Sequence, residues 1–359
     1  MKRELIEALE QIAREKGITK EMLLETIEAA LITAYKKNFG TSQNVRVSID
    51  PDTGEVHVYS QQEVVEAPED DFLEISLPDA KAKNPNYELG DFVESEVTPR
   101  DFGRIAAQTA KQVVVQRIRE AERSVIFDEY VNRESEIVTG LIQRMNKGTI
   151  YINLGKTEAV LMPSEQVVTE IYEQGTRIKT YIVEVKKTSK GPQILVSRTH
   201  PGLVRRLFEL EVPEIHDGVV EIRGISREAG SRTKIAVHSL DENVDPVGAC
   251  VGQKGNRVQT IVDELRGEKI DIVKWSEDPK VFISNALSPS KVEKVFYKTE
   301  DQSVLVVVPD YQLSLAIGKE GQNARLAAKL TGWKIDIKSL SQYEDMVYAG
   351  TAPADDDEA

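Results

Sequence analysis

One cysteine, Cys250, in 359 residues excludes a disulfide framework and fits a reducing compartment. The four histidines, at 57, 200, 216 and 238, are scattered, and no Cys/His cluster has metal-ligand spacing, so neither a structural metal nor a cofactor is expected. No apolar run approaches the roughly 18 residues of a membrane helix. The N-terminal MKRELIEALEQIAREKG is charged and amphipathic and lacks the apolar core of a signal peptide. A cytoplasmic chain with no membrane partner is the expectation. Catalytic signatures are missing as well: there is no Gly-x-x-x-x-Gly-Lys-Ser/Thr, His-Glu-x-x-His, Gly-x-Gly-x-x-Gly or nucleophile elbow. Acidic pairs such as Asp70-Asp71 lie in polar stretches and read as solvated surface. The chain is read as a non-enzyme.

What is present is an ordinary globular composition, 40% apolar and 30% charged, with length for two to four domains. The net charge of −14 is unevenly spread. Residues 1–135 hold 17 Lys+Arg against 27 Asp+Glu, residues 136–340 hold 29 against 27, and residues 341–359 hold none against six. A near-neutral middle between acidic ends leaves room for a basic face there.

The first forty residues read as two helices. Leu5, Ile6, Leu9 and Ile12 recur at helical spacing until Gly17. TKEMLLETIEAALITAYKKNF follows, with Thr19 as N-cap and Lys36 and Lys37 in the last turn, where the helix dipole favours cations. Two alternating strands then flank the turn Pro51-Asp52-Thr53-Gly54, and DFVESEVTP is a further strand. From about Asp101 to Arg133 there is no Gly or Pro after Gly103, which predicts a helix of roughly 45 Å at 1.5 Å per residue. It suits a connector, with its first half able to serve as core for what precedes it. Residues 136–200 change to short strands with glycine punctuation. Five strands in about 65 residues suggest a small closed barrel of the OB type, a fold that binds single strands through stacking and a basic groove.

After the amphipathic RTHPGLVRRLFELEV the chain repeats. Gly252 matches Gly318 and Gly255 matches Gly321, both 66 residues apart, and Lys269-Ile270-Asp271-Ile272 matches Lys334-Ile335-Asp336-Ile337 at 65. Both halves read helix, strand, strand, short helix, Gly-x-x-Gly, helix, strand, so the period marks tandem duplication of a domain. A glycine turn between two helices brings backbone close to a phosphodiester, which a Cβ at either glycine would block, and aims the second helix's free N–H groups at phosphate. Lys254 adds a cation to GQKG, whereas GKEG sets Lys319 beside Glu320; the first loop is expected to attract phosphate more, with Arg257 and Arg325 supplementing each. Cys250, just before the first loop, reads as a small buried apolar residue.

That repeated order resembles the bacterial, type II KH domain, and the barrel segment with YINLGKTEAVLMPSEQ and YEQGTRIKTYIVEVKKTSKG resembles the S1 domain. The whole order, with SRTHPGLVRRLFELEVPEI, DPVGACVGQKGNRVQTIVDEL and AIGKEGQNARLAAKLTGWKIDI, resembles the NusA family of bacterial transcription factors. The resemblance implies a multidomain α+β chain: an α/β N-terminal head with a long connector helix (1–134), an OB-type S1 β-barrel (135–200), two tandem type II KH domains (201–276 and 277–342) and an acidic tail (343–359) expected to be disordered. It implies RNA contacts at Gly252, Gln253, Lys254, Gly255 and Arg257, at Gly318, Lys319, Gly321 and Arg325, and on the barrel, where Tyr151 and Tyr181 are the candidate stacking residues, with Lys179, Lys186 and Lys187 nearby. Implied partners are RNA polymerase, at its β-subunit flap through the head, nascent single-stranded RNA and other Nus factors. Implied activity is control of pausing, intrinsic termination and antitermination. Functions tied to the acidic C-terminal repeats of some family members are not expected here. An RNA-binding translation or ribosome-maturation factor is the alternative.

Overall fold

The computed structural model describes residues 6, 7, 9, 10, 13, 19–39, 44–298 and 301–351, and its contacts divide the chain into Met1–Val125 and Ile126–Ala359. In the first unit, helix α1 (Lys20–Phe39) buries Leu23, Leu24, Ile27, Leu31 and Tyr35, the 3.6-residue stripe that its sequence predicts. The Thr19 hydroxyl accepts from the Met22 N–H at 3.3 Å, as the cap reading requires. The expected preceding helix is represented by Ile6 and Leu9, both helical and buried; Leu5, Ile12 and Gly17 lie outside the described residues. Strands β1 (Asn44–Ile49) and β2 (Val56–Val65) pair antiparallel with Val47 opposite Val58. Strand β3 (Glu74–Ser76) and strand β4 (Phe92–Glu96) both pair with β2. Between them runs a helix the sequence reading passed over, α2 (Leu77–Lys83), which Ser76 caps ahead of Pro78.

Helix α3 (Phe102–Val131) runs for 30 residues. Phe102, Ala106 and Ala110 belong to the core formed with α1 and β1. Tyr130 is buried in the core of the second unit's barrel, with Ile126 and Phe127 packed against it.

The barrel closes in the order β5 (Ile137–Asn146), β6 (Thr149–Asn153), β7 (Glu158–Leu161), β9 (Gly191–Ser197), β8 (Arg177–Thr188). Bulges after Ile142 and after Ile182 bend its two longest strands, which is how a five-stranded sheet curls enough to close.

Helix α4 (Pro201–Glu211) starts at His200, whose Nδ1 accepts from Gly202 N–H at 3.0 Å. It buries Leu203, Val204, Leu207 and Phe208, each contributing about 1.5–3 kcal/mol on full burial. After the short α5 (Pro213–His216) come antiparallel β10 (Val220–Glu228) and β11 (Arg232–Ser239), then α6 (Pro246–Val251), α7 (Asn256–Glu264) and β12 (Lys269–Lys274), parallel to β11. The second copy is α8 (Pro279–Ala286), β13 (Lys294–Lys298), β14 (Ser303–Val308), α9 (Leu313–Ile317), α10 (Gln322–Thr331) and β15 (Lys334–Ser339), with the same pairing signs.

The tail reading needs correction at its start. Residues Leu340–Tyr348 form helix α11, closed by a capping box between Ser339 and Gln342, and Tyr343 is buried with its ring stacked on Phe296 at 5.2 Å. One cap and one aromatic contact outweigh the segment's acidic composition. Residues 352–359 lie outside the described part.

Candidate nucleic-acid interface

The two glycine loops have the same backbone. Gly252 stands at φ 73, ψ 177 and Gly318 at φ 76, ψ 172. Lys254 (φ 53, ψ 24) and Glu320 (φ 53, ψ 27) occupy the same left-handed position, and Gly255 and Gly321 follow at φ 79 and φ 75. The charges therefore differ at both middle positions, Gln253 against Lys319 and, in the left-handed position, Lys254 against Glu320. Lys254, Lys319 and Gln253 are all exposed.

Within each loop the glycines do different work. A Cβ on Gly252 would lie 2.6 Å from Asn256 Oδ1 and 2.7 Å from Arg257 Cγ, and one on Gly318 would lie 2.8 Å from Asn323 Cβ. These first glycines allow the loop to pack on its own following helix. A Cβ on Gly255 would meet nothing within 4 Å, and one on Gly321 only Arg325 Nη1 at 3.9 Å. The second glycine of each loop is thus the one whose Cβ position is open, whereas a Cβ on the first would strike the loop's own following helix. Gly255 and Gly321 are also the N-caps of α7 and α10 and supply no capping side chain, so the positive end of each helix carries no side-chain cap. Beside the first loop, Glu214, Gly248, Ala249, Gly252, Gln253, Asn256 and Arg257 line an open cleft of about 490 Å³.

The two arginines named as supplements are already engaged. Arg257 Nη1 donates to the Ala249 carbonyl at 2.6 Å and to Glu214 Oε2 at 2.9 Å, so it ties α7 back to α6 and α5. Asn323, its counterpart in register, does the same with its amide on the Ala316 carbonyl at 3.0 Å. Arg325 instead reaches the first KH unit: Nε lies 2.6 Å from Glu228 Oε1, and Gln322 Nε2 donates to Glu228 Oε2 at 2.9 Å. The two units also share Lys234, which is fully buried and donates to Asp271 Oδ2 at 3.1 Å and to the Ser288 carbonyl at 2.8 Å.

On the barrel, Tyr151 is half-buried with the Arg144 guanidinium stacked 3.6 Å from its ring centroid, and the two residues are register partners on β5 and β6. Arg144 escaped the sequence reading; its signal was its place opposite Tyr151 across the Lys147-Gly148 turn. Tyr181 is not a free platform. It is buried and stacked on His200 at 4.6 Å and 8°, where it joins the core of the first KH unit. Lys179 pairs with Glu264 at 3.4 Å, Lys186 with Glu184 at 2.9 Å, and Lys187 lies 4.3 Å from the Phe127 ring.

Barrel and first KH unit are joined by buried charge. Arg198, 1% exposed, donates to both Glu170 oxygens, to the Lys179 carbonyl at 2.8 Å and to the Glu264 carbonyl at 3.0 Å. Burial would lower the Arg198 pKa, but Glu170 reverses that and keeps it charged. Nearby, Glu268 accepts from Arg227 Nε at 2.9 Å, Thr233 Oγ1 at 2.6 Å and Gly230 N–H at 2.8 Å, while Arg227 also reaches the His200 carbonyl at 2.9 Å. Burial raises the Glu268 pKa and these donors more than offset it, holding the carboxyl below its ordinary value. Buried ion pairs so fully bonded resist separation, since parting them strands a charge. Barrel and loops are accordingly held in fixed order along one unit.

Among the described residues no group of three or more His, Cys, Asp or Glu side chains could hold a metal, and no helix is long and apolar enough to cross a membrane.

Comparison with known proteins gives three matches to family models: the NusA N-terminal domain over residues 4–124, the NusA-like first KH domain over 198–275 and the NusA-like second KH domain over 279–345. A Halalkalibacterium halodurans protein named transcription termination/antitermination protein NusA is 61% identical over 346 residues, covering 96% of this chain and 91% of the relative. Proteins of the same name from Bacillus subtilis (58%, covering 99% and 96%) and Thermus thermophilus (44%, covering 94% and 90%) are also similar.

Proposed function

The chain belongs to the NusA family, and from that premise we propose that it binds RNA polymerase and nascent RNA together and thereby sets pausing, termination and antitermination. The observation that carries the RNA part is the pair of loops with one backbone conformation, each with an outward glycine at a helix N-terminus. Each loop clamps about four nucleotides of single strand. Phosphate oxygens take the first-turn N–H groups of α7 and α10, and Lys254 adds its charge at the first loop. Bases upstream or downstream stack on the Tyr151–Arg144 surface. The loops need no chemistry of bond making; they act by holding RNA.

The N-terminal unit carries the polymerase contact, at the β-subunit flap beside the RNA exit. Its excess of acid, 27 against 17 basic residues over 1–135, favours a protein partner over RNA. Fixed there, the barrel and KH units meet RNA as it emerges and favour hairpin formation in the exit channel, which lengthens pauses. Other Nus factors join the same complex for antitermination. Residues 1–134, 135–200, 201–276 and 277–342 are the corresponding functional divisions.

Affinity capture from a bacterial extract on the immobilised full chain tests this reading. Retention of polymerase core supports it. Retention of ribosomal subunits in place of polymerase would favour a translation or ribosome-maturation role and sink it.

A further inference from the structure

We propose that Glu228, a residue of the first KH unit, limits RNA binding by the second KH loop by occupying the Arg325 guanidinium that a phosphate would otherwise take. The inference rests on the reading that the KH loops bind RNA, and it makes the two loops unequal.

Arg325 is well placed for phosphate. Its Nη1 donates to the Glu320 carbonyl of the GKEG loop at 3.1 Å and lies 3.9 Å from where a Gly321 Cβ would stand. It therefore borders the opening that Gly321 leaves. Its fork is filled by a carboxylate: Nε to Glu228 Oε1 at 2.6 Å and Nη2 to Glu228 Oε2 at 3.2 Å. Gln322, the first residue of α10, adds its amide to the same carboxylate at 2.9 Å and to Ser231 Oγ at 2.7 Å. Carboxylate and phosphate suit an arginine fork alike. Glu228 thus holds, at the edge of the second loop, donors that match a phosphodiester.

The pair lies at the surface, with side-chain exposures of 45% for Arg325 and 24% for Glu228. Such pairs are weak and screened by salt, so a phosphate can compete for the guanidinium. It does so against the charge of Glu228 and that of Glu320 beside it. At the first loop the arrangement differs. Arg257 lies under Gly252, bonded to the Ala249 carbonyl and Glu214, and the open side of Gly255 has no neighbour within 4 Å. The first loop is open to phosphate, and the second is open only on exchange with Glu228.

Binding of a fluorescent single-stranded RNA oligonucleotide to the full chain tests this with four proteins: wild type, Glu228→Gln, Arg325→Gln and the double variant. Glu228→Gln is expected to tighten binding about fivefold, the upper end for releasing an exposed pair. It should also steepen the log–log salt dependence by about 0.7, as for one further phosphate contact on a single strand. Arg325→Gln alone is expected to change affinity less than about twofold, and in the double variant to remove the gain. Weaker binding by Glu228→Gln and by Glu228→Ala alike would make Glu228 a strut between the units and overturn the proposal. A gain that survives in the double variant would overturn it too, because Arg325 would not carry it. Gly255→Asp separates the levels. If that variant binds RNA as wild type does, the reading of the KH loops falls and this inference with it. If it binds weakly while Glu228→Gln leaves affinity unchanged, only this inference falls.

Discussion

Replacing either glycine of the first loop by alanine adds one methyl group, yet the structure assigns the two changes very different costs. Gly252 at φ 73, ψ 177 lies in a backbone region open essentially to glycine alone, where another residue costs about 1–3 kcal/mol. Its new Cβ would also sit 2.6 Å from Asn256 Oδ1 and 2.9 Å from Arg257 Cδ. Relieving that clash moves Arg257 off the Ala249 carbonyl and Glu214, a loss of about 1 kcal/mol. Gly252→Ala should therefore destabilise the KH unit by about 2–4 kcal/mol. Gly255 at φ 79, ψ 13 needs only the ordinary left-handed conformation, about 1 kcal/mol for alanine, and its Cβ meets nothing within 4 Å. Urea unfolding of the full chain followed by tryptophan fluorescence reads this out, since the two tryptophans, Trp275 and Trp333, lie at the end of β12 and just before β15. Equal losses for the two variants, or a larger loss for Gly255→Ala, would refute the division of labour between the glycines.

Three further outcomes follow from the same structure. Glu268 has a folded-state pKa held below its ordinary value by Arg227, Thr233 and Gly230 N–H against the opposing effect of burial. Its stabilisation is full above the ordinary carboxylate pKa, about 4.3, and is lost as pH falls through the depressed folded value; Glu268→Gln should flatten the acid limb of a stability–pH curve, and an unchanged limb contradicts that. The Cys250 thiol is fully buried, and burial, assisted by Glu214, pushes its pKa up to about 12, so maleimide at pH 8 should leave the native chain unlabelled and label it in urea. Rapid native labelling would show that the α6 segment opens. Tyr151→Ala should weaken binding of single-stranded RNA by about 1–3 kcal/mol, whereas Tyr181→Phe, buried against His200, should not change it; the reverse order would displace the stacking surface from Arg144 and Tyr151.

The elements that the sequence made legible are those set by local rules. Helix α4 begins at His200-Pro201 and α1 follows Thr19 because N-caps and periodicity need only neighbouring residues. The two loops were visible because their left-handed positions call for glycine at a fixed spacing. The partners of the site's cations were not visible. Arg325 pairs with Glu228 across 97 positions and Arg257 with Glu214 across 43, and no pattern in the sequence encodes which acid a tertiary fold will deliver. Tyr181 is a similar case: it lies on β8, and only the packing of α4 against that strand covers its ring. At 340–348 the error was one of scale, because acidity averaged over the last residues hid a capping box and one buried aromatic.

Pause lifetime on a hairpin-dependent template, measured with wild type and with the Gly255→Asp, Gly321→Asp double variant, bears most directly on the role of the paired loops. Wild type should lengthen the pause, and the double variant should bind polymerase equally well yet leave the pause near its factor-free lifetime. A double variant that lengthens the pause as much as wild type would remove the KH loops from the mechanism.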